Sequence, residues 1–509
     1  MPSTQLATRA PPVNLPATLA ECHALILAQA HQIELSLHCI AQFEDQLALV
    51  QERLSLDSKN SSLAPSSDGP ASPNRAQRRA SGRKRGAQVG HKGSYRALLD
   101  QAQVDDVVDC APDELCECGA PVLLLGDEPI RHQVFDVPPV KAHVVEYRRY
   151  AGRCMACGKA HRAALPPGVP SGQIGPRALA LVGTLGTQFQ LTQMKIRDLL
   201  ARLMGVDFSV GAISQAHGKV ALALAAPVSE VAQFAKQSPV KHMDETRYPR
   251  EGAGNWVWAV VTPKVAWYSL LPSRARYVAT SLVGERFTGI LVSDRYAVYD
   301  YVDVDKRQVC WAECGLQASL RTLDASRGVE PLAQRGLQGH LLRDFTRISQ
   351  RQGLAGQVGR GLLGAGYLVF RWRKEEKTTL EFDPLCRRIK RLLMQGSAQT
   401  KCTRTAKTCA NLLKLYPALW TFLEDAAVAP TNNEAERALR ALVLKRKISG
   451  PTRSRRGDEF LANGFSVYET CRRQGRDLWD FMHQAVGAWI HKAAAPSLVP
   501  LTAASAPSG

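Results

Sequence analysis

The sequence predicts a multidomain α+β protein, with a mixed α/β core that is interrupted by a helical insertion and preceded by smaller modules. Three observations lead there. The apolar period is helical from 171 to about 237, alternates from 238, and is helical again from about 351. Two cysteine pairs, Cys116-x-Cys118 and Cys154-x-x-Cys157, are each followed by glycine. A buried-looking strand, "GILVSD", ends in an acid. With 509 residues the chain has room for several domains of roughly 100–200 residues.

Composition narrows the function. Formal net charge is +19 and the pI is about 9.5, a balance that favours a polyanionic partner, usually nucleic acid. The opening "MPSTQLATRAPPVNLPATLA" lacks a basic region followed by an apolar core, and no run of 18 apolar residues is present. A cytoplasmic, nucleoid-associated protein with no membrane partner is therefore expected. Thirteen cysteines in a reducing compartment suggest metal binding rather than disulfides.

Residues 1–57 read as a helix with Ile26, Ile33, Ile40, Leu47 and Leu54 at heptad spacing, the pattern of a coiled coil and hence of a homo-oligomer. Residues 58–108 read as a basic, disordered linker: "SPNRAQRRASGRKRGAQVGHKG" is too poor in apolar residues to build a core. Its Arg75, Arg78, Arg79, Arg83, Lys84, Arg85 and Lys92 suit sequence-independent phosphate contacts. Residues 109–170 read as a zinc-ribbon-like module, in which Cys116, Cys118, Cys154 and Cys157 would hold a structural Zn²⁺. The first pair is one residue short, with Cys110 and His132 as substitutes. Residues 171–237 are helical, and "GVDFS" resembles the turn of a helix-turn-helix, with Ser209 or Ser214 near the second helix start.

From 238 to 350 the pattern is three strands, a helix and a strand, the order that opens an RNase H-like fold. Asp244 is expected to end the first strand and Asp294 the last, on strands that lie side by side in that fold. Carboxylates gathered at one point repel unless divalent cations fill the gap. Two such ions would activate a water or a 3′-hydroxyl against a phosphodiester. Residues 351–429 read as a helical insertion, 430–490 as the last part of the core, and 491–509 as a flexible tail. A third acid is expected on the helix "NNEAERALRALVLKRK". Glu434 and Glu436 are about 200° apart on it and flank the apolar stripe symmetrically, so periodicity leaves both open.

These strings resemble bacterial transposases of the insertion-sequence-66 type, a branch of the Asp-Asp-Glu group. The likeness runs through "SKNSSLAPSSDG", "SGRKRGAQVGHKG", "HMDET", "LVSDRYAVY", "CWA", "HLLRDF" and "TNNEAERALRALVLKRK" in order. The resemblance implies Mg²⁺ (or Mn²⁺)-dependent cleavage and strand transfer at element ends, two metal ions, and catalytic Asp244, Asp294 and Glu436. It implies double-stranded DNA partners, both terminal inverted repeats and target, and two smaller helper proteins. Arg437, Arg440, Lys445, Arg446 and Lys447 would lie near the DNA backbone, and His340 and Arg343 would support the active site. One departure stands out. Residues 313–339 interrupt a string that otherwise reads "CWAHLLRDF". The insertion either loops out harmlessly or displaces His340 and Arg343, leaving a relic that only binds DNA.

Overall fold

The computed structural model describes residues 18–54, 96–123, 129–284, 287–311 and 340–500. The linker arginines and lysines from Arg75 to Lys92, and the insertion 313–339, lie outside the described residues.

In chain order, α1 (Leu19–Leu54) is one long helix, as the heptads predict. Ile26, Ile33, Ile40 and Phe43 are exposed along it. A short antiparallel hairpin follows, β1 (Ala151–Arg153) with β2 (Ala160–Arg162). Four helices come next: α2 (Pro176–Thr187), α3 (Gln193–Met204), α4 (Val210–Ala223) and α5 (Ala225–Gln237). The strands β3 (Val240–Arg247), β4 (Trp256–Val261) and β5 (Ala266–Leu271) then lead into α6 (Arg276–Val283), β6 (Ile290–Ser293) and β7 (Arg307–Val309). The remainder is helical: α7 (His340–Ser349), α8 (Gly353–Lys374), α9 (Thr379–Ala398), α10 (Thr403–Lys414), α11 (Asn433–Ser449), α12 (Arg455–Gln474) and α13 (Leu478–His491).

The chain divides into two compact units, Met1–Gly69 with Phe287–Glu436, and Pro70–Arg286 with Arg437–Gly509. In the second unit, β3, β4 and β5 form an antiparallel meander in the order of the chain. β4 is almost wholly apolar, and Val257 to Val261 are buried. Helix α12 covers β5. The Ser466 and Thr470 hydroxyls accept hydrogen bonds from the N–H groups of Tyr268 and Ala266, at 2.9 and 3.1 Å. Those N–H groups would otherwise be buried without partners, which is costly.

The helix–turn–helix α3–α4 falls at "GVDFS". Gly205 closes α3 in the left-handed region at φ 65°, and Ser209 rather than Ser214 caps α4 by accepting from Ala212 N at 3.1 Å. Helix α4 is held against α2 and α12 by His217, which is buried and stacked on Phe460 with ring centroids 3.8 Å apart. Burial, then the nearby Lys445 and Arg456 charges, push the His217 pKa down to about 3.

In the first unit, β6 and β7 pair in parallel, and α7 to α10 pack in sequence. Gly359 on α8 sits directly against the backbone of Ile348 and Ser349 on α7, where a Cβ would overlap it. The expected strand "FTGILVSDRYAVYD" is shorter than its apolar run suggests. It stops at Ser293, and Ala297–Tyr299 winds into a single 3₁₀ turn.

His217 sets an acid limit. Its folded pKa lies below the usual histidine value near 6.5, so between about 3 and 6.5 the unfolded chain binds the extra proton. Its stabilising contribution is complete above pH 6.5 and is lost progressively as pH falls toward 3. Urea unfolding at pH 7 and pH 4.5 should show the wild type losing stability, and a His217→Leu variant losing distinctly less.

Candidate active site

In the first unit the geometry starts from a buried arginine. Arg307, on β7, is 1% exposed and makes three hydrogen bonds around the end of β6. Its Nε donates to Ser293 Oγ (3.1 Å), Nη2 to Asp294 O (2.8 Å) and Nη1 to Asp300 Oδ1 (2.8 Å). The backbone of Asp294 is thereby fixed from β7. The Asp294 side chain is fixed locally: Oδ1 accepts from Tyr296 N at 2.9 Å, a short Asx-type bond.

The same strand fixes the beginning of α11. Cys310 N donates to Ser293 O (2.9 Å), and Cys310 Sγ accepts from Asn432 N (3.0 Å). Trp311 N donates to Pro430 O (2.9 Å), and its indole Nε1 to Leu419 O (2.7 Å). Asn432 O in turn accepts from the N–H groups of Ala435 and Glu436, at 3.1 and 3.2 Å, starting the helix. Ser293, the residue before Asp294, and Asn432, at the start of α11, are therefore both tied to one residue, Cys310. Glu434 and Glu436 are each half-buried on that turn, so burial does not choose between them.

Beside Asp294, Arg295 pairs with Asp344 of α7, which also accepts from Arg347 Nη2 at 2.7 Å. Burial lowers the Arg295 pKa to about 10, opposed by Asp294. Arg343 is half-buried next to this cluster on α7; His340 begins the helix. Arg295, Arg307 and Asp344 were not singled out from the sequence. For Arg295 and Arg307 the available signal was a charged residue just after, or inside, a short apolar strand; Asp344, on α7, gave none.

Asp244 belongs to the other unit. It does not end β3, as the change from apolar to polar residues suggested. The strand runs on to Arg247, with Asp244 opposite Ala259 and Glu245 opposite Trp258 on β4. The polar stretch "DETR" stays extended because β4 continues the ladder and the buried Glu245 carboxylate is neutralised. Arg274 donates to Glu245 Oε1 from Nε (2.6 Å), with Nη2 at 2.5 Å, and lies 4.9 Å over the Trp256 ring. Asp244 Oδ1 accepts from Glu245 N at 2.9 Å.

On α11, Arg437, Arg440 and Lys447 are exposed and Arg446 is half-buried. Lys445 departs from the expectation that it lies near the DNA backbone with the other four. It is buried, donates from Nζ to Leu191 O at 2.7 Å, and burial lowers its pKa to about 8. It falls on the packed side of the helix, three residues after the buried Leu442.

The cysteine pairs form two related turns. Cys116 N donates to Ala120 O and Gly119 N to Cys116 O; Cys154 N donates to Lys159 O and Gly158 N to Cys154 O. Gly119 and Gly158 close the turns at φ 80° and 69°. The first turn is the second with one residue removed. Backbone hydrogen bonding at Ala120, then the Cys116 thiol, lowers the Cys118 pKa, and hydrogen bonds from the Cys157 and Ala156 backbone lower that of Cys154. Among the described residues, no three His, Cys, Asp or Glu side chains gather closely enough to hold a metal ion. No described helix is long and apolar enough to cross a membrane.

Residues 171–459 match the family model described as "Transposase IS66 family". The chain belongs to the IS66 transposase family. That match spans Asp244, Asp294 and Glu436 together. Residues 12–97, which include α1, match a second family, of unknown function. This IS66-family chain is also similar to two uncharacterized proteins of Sinorhizobium fredii. It is 24% identical to y4hP over 388 residues, covering 71% of this chain and 68% of that one. It is 25% identical to y4qI over 418 residues, covering 75% and 72%.

The Arg307 bonds to β6 predict a measurable cost. An Arg307→Met variant should lose about 2–4 kcal/mol in urea unfolding, because two oxygens at the end of β6 lose a charged donor.

Proposed function

We propose that this chain is a DNA transposase of the Asp-Asp-Glu type, with an RNase H-like catalytic core, that cleaves and joins phosphodiesters at the ends of its element. The observation that carries the reading is the family match, because it spans all three acids. It is supported by the hydrogen bonds of Arg307 to Asp294 and of Cys310 to Ser293 and Asn432, which hold the segments carrying Asp294 and Glu436 to one stretch of chain.

Asp244, Asp294 and Glu436 would hold Mg²⁺ or Mn²⁺, and carboxylate oxygens are the donors that such hard ions take. Glu436 is preferred over Glu434 on the family's Asn-Asn-x-x-Glu-Arg spacing. When bound, two such ions activate a water or 3′-hydroxyl and stabilise the leaving oxygen. The chain's own contribution is orientation. Tyr296 N–H fixes one oxygen of Asp294, Glu245 N–H one oxygen of Asp244, and Asn432 O starts the turn that carries Glu436. The Arg295–Asp344–Arg347 cluster supplies positive charge beside Asp294, and His340 and Arg343 on the same helix would support the site. Arg437, Arg440, Arg446 and Lys447 would meet DNA phosphates, together with the linker's Arg78, Arg79, Arg83, Lys84, Arg85 and Lys92; the buried Lys445 is left out. The thiols of Cys116, Cys118, Cys154 and Cys157 suit Zn²⁺ in donor type, and the lowered pKa values favour the thiolate form it takes. Self-pairing of α1 through Ile26, Ile33 and Ile40 would make the protein a homo-oligomer. Two smaller proteins of the same element are proposed as helpers, in the cytoplasm.

The second reading, a relic that binds DNA without cutting it, is favoured by the insertion at 313–339. One experiment addresses both. Purified protein is incubated with labelled element-end DNA and Mg²⁺, beside Asp294→Ala and a deletion of residues 313–339. The transposase reading predicts cleavage and joining by the wild type, and less than about 1% of that rate for Asp294→Ala. Equal cutting by both would refute the metal-site assignment. Activity that emerges only in the deletion variant identifies the insertion as inactivating.

A further inference from the structure

The helical insertion carries a basic face that the active-site account does not use. From Arg387 to Lys414, through most of α9 and all of α10, the sequence has eight lysines and arginines and no aspartate or glutamate. On α9 the apolar positions Phe382, Leu385, Ile389 and Leu393 are buried, which fixes the outward side of the helix. Arg387, Lys390, Arg391 and Met394 are exposed on it. With Pro384 they line a shallow recess of about 560 Å³. Their spacing of three, four and seven residues puts them in one stripe about two turns long. The helix start is well fixed. Thr378 and Glu381 form a capping box, and Glu381 Oε2 accepts from Thr378 N at 2.8 Å.

Local acids neutralise little of this charge. Arg387 pairs with Asp383 one turn earlier, an exposed pair of the kind that contributes little. Lys390 lies 5.4 Å over the Tyr416 ring, which limits where its ammonium swings without cancelling its charge.

We propose that this α9 stripe, Arg387, Lys390 and Arg391, is a contact surface for the phosphate backbone of duplex DNA, separate from the α11 residues. The proposal rests on the transposase reading for its choice of polyanion, and on the charge and geometry of α9 for its location. One helical turn, about 5.4 Å, spans between one and two phosphates of a strand at 3.4 Å each, so successive basic residues can meet successive phosphates. Single-stranded DNA surfaces use open aromatic rings for base stacking, whereas the residues that line this recess carry none and the nearby Tyr416 ring is engaged by Lys390 and Trp420. The stripe therefore suits a paired backbone. Contacts of this kind are independent of sequence and strongly dependent on salt.

The test measures anisotropy of the full-length protein on a labelled random-sequence duplex of about 30 base pairs, from about 50 to 200 mM KCl. The combined variant Arg387→Ala, Lys390→Ala, Arg391→Ala should bind at least about tenfold more weakly near 100 mM. Its slope of log affinity against log salt should shrink by about 2–3, near 0.9 for each phosphate contact removed. The variant Arg387→Lys with Arg391→Lys should keep the wild-type slope. Protection of the Lys390 amine from acylation, read by mass spectrometry on the wild type, repeats the test without any substitution: the duplex should protect it. An unchanged salt slope in the Ala variant overturns the proposal. So does protection of Lys390 by poly-glutamate but not by the duplex, which would mark a site for an acidic protein. Loss of slope in this variant, with cleavage that is indifferent to Asp294→Ala, would leave the α9 surface standing and refute the active-site reading alone.

Discussion

The first unit depends on how β7 ends. Over five residues, Arg307 to Trp311, the short strand β7 and the two residues after it bond outward in three directions. Arg307 holds the end of β6, Cys310 holds both β6 and Asn432, and Trp311 holds Pro430 and Leu419. Thr421 Oγ1 adds a bond to Arg307 O at 2.7 Å, and Gln308 Oε1 accepts from Phe422 N at 2.9 Å. These partners lie more than a hundred residues later in the chain. A three-residue parallel strand has little stability of its own. It persists because nearly every polar group on it has a partner and its side chains are buried.

That arrangement explains how a long helical insertion can interrupt the core. Helix α8 packs on α7, α9 on α8 and α10 on α9, while the chain leaving the insertion is held by Trp311 at Leu419 and Pro430. The insertion is then free to carry a surface of its own, and its charge distribution is consistent with that. Its acids fall in two short groups, between Glu375 and Asp383 and at Glu424 and Asp425, and the stretch between them from Arg387 to Lys414 carries basic residues alone.

Much of this was legible in the sequence. The change of period near 238 located β3, β4 and β5, because alternating Val, Trp and Tyr leave few other solutions. "GVDFS" located the α3–α4 turn, because glycine supplies the left-handed closure and serine the cap. Three things were not legible, for physical reasons. The polar half of β3 was hidden because ladder pairing and the Arg274–Glu245 ion pair override the local preference of "DETR". The burial of Lys445 was hidden because its partner, the Leu191 carbonyl, lies far away in the sequence. The role of Cys310 was hidden because a single cysteine reads as a small apolar residue until the backbone N–H that it accepts is known. For the candidate site, the apolar run placed Asp294 just after β6 but misplaced Asp244, which lies inside β3, and the choice between Glu434 and Glu436 came from family spacing alone.

The most direct measurement compares Glu436→Gln with Glu434→Gln in Mg²⁺-dependent cleavage of element-end DNA, with DNA binding measured alongside. Both changes remove one negative charge from the same half-buried helical turn. The account predicts that Glu436→Gln lowers cleavage by about 100-fold or more while binding is kept, and that Glu434→Gln stays within about threefold of wild type. The reverse order, or equal effects of the two, would contradict it.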